Sequence, residues 1–352
     1  MEQRLFSKNR ILILLNTPSE ILQPSIEYLS IIFLGFPFLV LYNFYSSMLR
    51  GIGDSKTPLY SIIISSIINI ILDIVLIKVF NWGIKGAAIA TVTAQIISCV
   101  YLINFINKNH SIFKILLKQN YIDKLLLLEC LRLSLPRVIQ STIGTFGSLL
   151  LQNIMNSFGV YVVTAITTAY KIDTLTILPI INISIAISIF VGQNVGANQM
   201  ERAKEGLKNG MIIILILSVI VTSFVVFAGW HFMKAFGVSD EVANIGQRFF
   251  YICAFFYPVF GLQNAYSSFL QGNKDVVYTS VGNIMMLALR IFLSYSLAKK
   301  LGSDVIAVSE SSSWVLGVII FYLRYKSNRW MIINSKYNSS NCACPKLSKH
   351  EG

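Results

Sequence analysis

The sequence predicts an all-α polytopic membrane protein built as two helix bundles related by a parallel internal repeat, the first bundle incomplete. Three observations carry that expectation. Hydrophobic residues make up 55% of the 352-residue chain and charged residues only 13%, against roughly 25% charged in soluble domains. Apolar runs recur along the whole length, each of the about 18 or more residues that a hydrocarbon core requires. One segment occurs twice, at residues 37–54 and again at 258–275.

The apolar runs number nine, near 28–49, 59–80, 83–106, 131–157, 161–191, 209–230, 245–270, 276–298 and 304–325. None alternates polar and apolar with the period of a barrel strand, so helices are expected to satisfy the backbone in lipid. The repeat pairs Pro37 with Pro258, Leu41 with Leu262, Asn43 with Asn264 and Tyr45 with Tyr266. It continues through Ser46 and Ser267, Ser47 and Ser268, Leu49 and Leu270, Gly51 and Gly272, and Asp54 and Asp275. Carried outward, the same offset maps 28–49 onto 245–270, 59–80 onto 276–298 and 83–106 onto 304–325. Each pair lies six crossings apart and runs in one direction, which makes the repeat parallel. Residues 1–106 then form a partial first bundle, 107–130 a cytoplasmic linker, 131–326 a six-helix bundle and 327–352 a polar tail. The runs at 131–157, 161–191 and 209–230 have no counterparts in the first half. The expected whole is a twelve-helix protein of which this chain holds nine; a misassigned start, a disrupted gene and a short form give the same pattern.

The formal charge of +13 does not read as a nucleic-acid footprint, because the basic residues collect in alternate loops. Arg50 and Lys56 are followed by Lys108, Lys114, Lys118 and Lys124, then Arg202, Lys204 and Lys208, then Lys274, and finally Arg324, Lys326 and Arg329. That asymmetry is the positive-inside pattern and places the C-terminal tail in the cytoplasm. Nine crossings then put the N-terminus outside, in conflict with Arg4, Lys8 and Arg10. Cys342 and Cys344 lack further Cys or nearby His and make no zinc site. The three histidines are scattered, and no Walker A motif is present. No enzymatic site is expected.

The sharpest candidate for chemistry is Asp73. A carboxylate within a span costs roughly 2.5–3.5 kcal/mol on insertion scales and is functional by default. Ser61, Ser65, Asn69 and Asp73 follow at steps of four, on one helix face. Such a stripe suits a proton or Na⁺; the plain alternative is an acid that reaches the outer interface, five residues before Lys78. Lys171 and Asp173 lie inside the span 161–191 and point to different faces. They are either cavity groups or interhelical pairs, for instance Asp173 with Arg290. Pro37 and Pro258 fall mid-span at equivalent positions, as hinges or as fixed bends. Gly86-Ala87-Ala88 and Gly192 to Gly196 are expected to allow close helix contact.

The series Leu49-Arg50-Gly51-Ile52-Gly53-Asp54-Ser55-Lys56-Thr57-Pro58, Asn69-Ile70-Ile71-Leu72-Asp73 and Gly83-Ile84-Lys85-Gly86-Ala87-Ala88-Ile89-Ala90-Thr91 resembles the signature of MATE (multidrug and toxic compound extrusion) transporters. Lys171-Ile172-Asp173, Pro179 and Val191-Gly192-Gln193-Asn194-Val195-Gly196-Ala197 look like the DinF-like bacterial branch. The resemblance implies antiport of amphipathic or cationic organic compounds, driven by H⁺ or Na⁺ and by no other cofactor. It carries the cation site onto Asp73, Asn69, Thr91 and Asn43, with no metal beyond Na⁺ at Asp73. It also implies a monomer in the bacterial cytoplasmic membrane, touching lipid and small organic substrates. A lipid-linked oligosaccharide flippase of the same superfamily is the alternative, expected to line its cavity with several Arg and Lys; Arg290, Lys171 and Arg137 are the residues available for that. An inactive remnant is the third reading.

Overall fold

The computed structural model describes residues 19–109 and 124–331. Among these residues the secondary structure is helical throughout, and the chain divides at residues 121–122 into two compact units. The basic N-terminal residues, most of the linker, and Cys342 and Cys344 lie outside the described residues.

The first unit holds three helices: α1 (Ser19–Gly51), α2 (Lys56–Asp73) and α3 (Gly83–Asn109). The helix of α2 continues as a π-helical segment, Ile74–Val79. α3 is central and packs against both α1 and α2. Small residues on α3 make this contact close: Ala88, Ala90, Ala94 and Ser98 are buried. Tyr45 and Leu49 of α1 meet Leu102 and Ile106 of α3 in a small apolar core. α2 buries only Thr57, Pro58 and Ser61 and leaves Ile62, Ile63, Ile67, Ile70 and Ile71 exposed, as a lipid-facing helix does.

The second unit contains α4 (Lys124–Ser157), α5 (Val160–Gly196), α6 (Met200–Ala235), α7 (Asp240–Phe255), α8 (Tyr257–Gly272), α9 (Val276–Leu301) and α10 (Val305–Lys326). α5 packs against α6, α7 and α8, while α9 and α10 form a hairpin through a short 3₁₀ turn, Gly302–Asp304. α4 lies chiefly along α9. Among the described residues six stretches are long and apolar enough to cross a membrane, or seven if the bent α7–α8 pair is one crossing. The last of them, Val276–Lys326, contains both α9 and α10, and α4 is diluted by Lys124, Glu129, Arg132 and Arg137. The nine predicted runs therefore all fall on helix.

Three features depart from the sequence expectation. The run at 245–270 is broken: α7 and α8 meet at 51°, with Pro258 in the first turn of α8, where its missing N–H leaves no helix bond unmade. Its counterpart Pro37 lies inside the unbroken α1, so the two prolines are not equivalent bends. The linker is shorter than 107–130, since α3 runs to Asn109 and α4 starts at Lys124. The tail is not polar from its first residue. Trp330 is fully buried, its Nε1 donates to the Tyr325 carbonyl at 2.9 Å, and it packs edge-on against Phe269.

The repeat is visible in the hydrogen bonding. The Asn43 amide donates to the Leu39 carbonyl at 2.8 Å and that of Asn264 to Phe260 at 2.9 Å. Both copies end in the same turn: Asp54 N–H bonds the Leu49 carbonyl and Asp275 N–H the Leu270 carbonyl, each at 2.9 Å. This six-to-one closure needs a left-handed residue, supplied by Gly53 at φ 96° and by Lys274 at φ 63°. The acids that follow diverge. Asp54 accepts from the backbone N–H groups of Lys56 and Thr57 at 3.0 Å and from the Thr57 hydroxyl at 2.6 Å, closing the start of α2. Asp275 instead takes Arg324 at 2.7 Å. Asp54→Ala is expected to loosen the first turn of α2 by about 1 kcal/mol, read as faster hydrogen exchange at Lys56 and Thr57 with the second unit unchanged.

Candidate functional site

The polar stripe of α2 faces α3. The Ser61 hydroxyl lies 2.7 Å from that of Ser98 and 3.1 Å from the Ser98 carbonyl. Two turns on, a cavity of about 210 Å³ opens, lined by Tyr42 of α1, by Ser65, Ser66 and Asn69 of α2, and by Thr91, Gln95 and Ser98 of α3. Thr91 donates to the Ala87 carbonyl at 3.0 Å, which leaves its oxygen lone pairs toward other partners. Asp73 stands one turn beyond Asn69, at the last α-helical residue before the π segment. That segment is seated against the start of α3: a Cβ on Gly86 would lie 3.1–3.3 Å from Leu76. Single π turns of this kind recur at functional sites.

Three side-chain atoms here are buried without a hydrogen-bond partner among the described residues: Asn69 Nδ2, Asp73 Oδ1 and Gln95 Oε1. Buried polar groups are ordinarily satisfied; Asn69 and Gln95 line the cavity, while Asp73 lies one turn beyond Asn69 and is not among the lining residues. Gln95 escaped the sequence reading, although it lies four residues after Thr91 on the same helix face. Gly35 of α1 admits it, since a Cβ there would stand 2.8 Å from Gln95 Oε1. Asn43 does not join this group. It is exposed, its amide turns back to Leu39, and it is not among the residues lining the cavity.

The second unit holds a different polar cluster. Tyr170 and Asp173 of α5, Tyr257 of α8, Arg290 of α9 and Glu310 of α10 converge in its interior. Arg290 Nη2 donates at 2.8 Å to both Glu310 Oε2 and the Tyr170 hydroxyl. The Tyr170 hydroxyl donates in turn to Glu310 at 3.1 Å. Asp173, only 6% exposed, accepts from the Tyr257 hydroxyl. The expected pair of Asp173 with Arg290 is therefore replaced: Glu310 takes the guanidinium, because it faces Arg290 directly across the α9–α10 hairpin. Glu310 was legible as an acid inside the run 304–325. Lys171 points to an exposed face, away from the cluster.

The chain has known relatives. The model of the family MatE matches residues 4–75 and 136–296, well over half of the sequence. The chain belongs to the MatE family. It is a multi-pass membrane protein, as its apolar helices require. Similar proteins include one described as "Probable multidrug resistance protein YoeA" from Bacillus subtilis, 28% identical over 79% of this chain and 61% of that protein. Another is "Probable multidrug resistance protein YpnP" from the same species, 27% identical over 92% of this chain and 73% of the relative. The chain thus spans about 61% of the length of the first of these. A crystal structure described as "MATE in the bent conformation" shares the fold, with a TM-score of 0.87 over 95% of this MatE chain and 75% of that one, at 18% identity.

Proposed function

We propose that this MatE chain is a secondary active efflux transporter, not an enzyme, that exchanges H⁺ or Na⁺ for amphipathic or cationic organic compounds. We place it in the bacterial cytoplasmic membrane, as a monomer with its C-terminus in the cytoplasm, the orientation that the alternate basic loops favour. The similarity to YoeA and YpnP, described as probable multidrug resistance proteins, supports the substrate class. The three-helix first unit would bind the coupling ion.

The observation that carries the reading is the buried Asp73 Oδ1, without a hydrogen-bond partner among the described residues, one helical turn beyond Asn69, which lines the cavity with Thr91 and Gln95. A carboxylate, an amide oxygen and the Thr91 hydroxyl are hard oxygen donors suited to Na⁺; Asp73 alone suffices for a proton. Asp73, Asn69, Thr91 and Gln95 are the residues we assign to the site, without Asn43. The flippase alternative loses support because Arg290, one of the basic residues it would use, is paired with Glu310 at 2.8 Å.

The test is uptake of a fluorescent organic cation into inside-out vesicles holding the full chain, driven by an imposed pH gradient or Na⁺ gradient. Asp73→Asn is expected to drop transport to the leak level under whichever gradient drives it. Gln95→Leu is expected to weaken Na⁺ dependence while sparing a purely proton-driven cycle. Transport that persists undiminished in Asp73→Asn would refute the assignment.

A further inference from the structure

We propose that the second unit carries a proton-binding site of its own, centred on Asp173 and independent of Asp73. The cluster contains two carboxylates, Asp173 and Glu310, and one guanidinium, Arg290. Arg290 Nη2 bonds Glu310 and Tyr170, at 2.8 Å each, and its buried Nε has no hydrogen-bond partner among the described residues. Among the described residues no Lys, Arg or His nitrogen lies within the 4.0 Å ion-pair distance of Asp173. With both acids ionised, this interior would hold one uncompensated negative charge within spanning helices, an arrangement that lipid and protein both penalise.

One proton restores neutrality. It adds to the Asp173 carboxylate to give a carboxylic acid, and the net charge of the cluster goes from minus one to zero. The Tyr257 hydroxyl donates to one oxygen of Asp173 and leaves the other to hold the proton. The groups that bear on Asp173 come from every neighbouring element that carries one: Tyr257 from α8, Arg290 from α9 and Glu310 from α10, with Cys253 of α7 beside them.

Two cavities lie near the site. Tyr170, Arg290 and Glu310 line a cavity of about 380 Å³ together with Ser148, Gln152 and Ser294. Ser148 lines a second cavity of about 410 Å³ along the α4–α9 seam, where Gln140, Thr145 and Asn283 supply polar groups. Tyr170 links the first cavity to Asp173, which follows it three residues later on the same face of α5. The repeat supports the placement. Arg290 and Ser294 occupy the positions of Asn69 and Asp73 in the first unit, so the second unit keeps polar chemistry on the same helix face and moves its unpaired acid onto α5.

Infrared spectroscopy of the purified full chain tests the site without relying on transport. At about pH 7, where solvated carboxylates are ionised, we expect a carboxylic C=O band that shifts on exchange into D₂O. Asp173→Asn, which keeps an acceptor for Tyr257, should remove that band, and Asp73→Asn should leave it. Tyr257→Phe removes the donor and should move the band without abolishing it, which also guards against a folding defect. The proposal falls if no such band exists, if Asp173→Asn leaves it intact, or if Tyr257→Phe leaves its position unchanged. Failure of the efflux assay would not alter the band, so the two readings stand or fall separately.

Discussion

Arg290→Met is expected to be among the most destabilising single substitutions in the chain, by about 3 kcal/mol. Breaking a buried ion pair costs roughly 3–5 kcal/mol because one charge is left without its partner. Arg290 and Glu310 are 21% and 12% exposed, so the lower end applies. The loss reaches further than one pair, since Tyr170 also gives up the donor that orients its hydroxyl toward Glu310. The double variant Arg290→Met, Glu310→Leu removes both charges and is expected to recover most of the stability, as apolar replacements of buried pairs do. Comparative thermal unfolding in one detergent checks both. A double variant no better than Arg290→Met would mean that hydrogen bonding by Arg290, not charge balance, holds α9 to α10.

The helices were legible because lipid leaves the backbone no alternative: an apolar run long enough to span must close its own hydrogen bonds. The repeat was legible for a related reason, since its Asn, Gly and Asp positions encode a turn that recurs bond for bond at Asp54 and Asp275. The breaks were not legible. Pro37 and Pro258 look alike in sequence, yet only the second follows a real helix end, set by the burial of Tyr257 and its bond to Asp173. The π segment after Asp73 has no local signature either; it depends on Gly86 admitting Leu76. In the first unit, Asn69 and Asp73 were proposed from their helical spacing and Thr91 from the family resemblance, and Gln95, one turn after Thr91, was accessible to the same spacing. In the second, the offset pointed to Arg290 and Ser294 but could not find Asp173's partner. Tyr257 reaches it only through the 51° bend, which no periodicity records.

The two glycines of the repeat should respond to alanine with opposite signs. A Cβ on Gly272 would stand 2.7 Å from the Ser188 carbonyl oxygen and 2.9 Å from Val191 Cβ. The first of these is backbone and cannot rotate aside, so α5 and α8 must separate. Overpacking of this kind costs about 1–3 kcal/mol. Gly272→Ala is therefore expected at the upper end of that range, with weakened protection of the α5–α8 contact in hydrogen exchange. At Gly51, the same position in the first copy, an added Cβ meets no described atom within 4 Å. The residue is helical with no positive φ, so Gly51→Ala is expected to gain about 0.5–1 kcal/mol from helix propensity. The contrast follows from what each copy packs against: α8 lies in the groove of α5, whereas the described residues of the first unit bring no helix backbone to Gly51. Equal losses in the two variants would show that the glycines serve the turn itself and not the approach of α5 to α8.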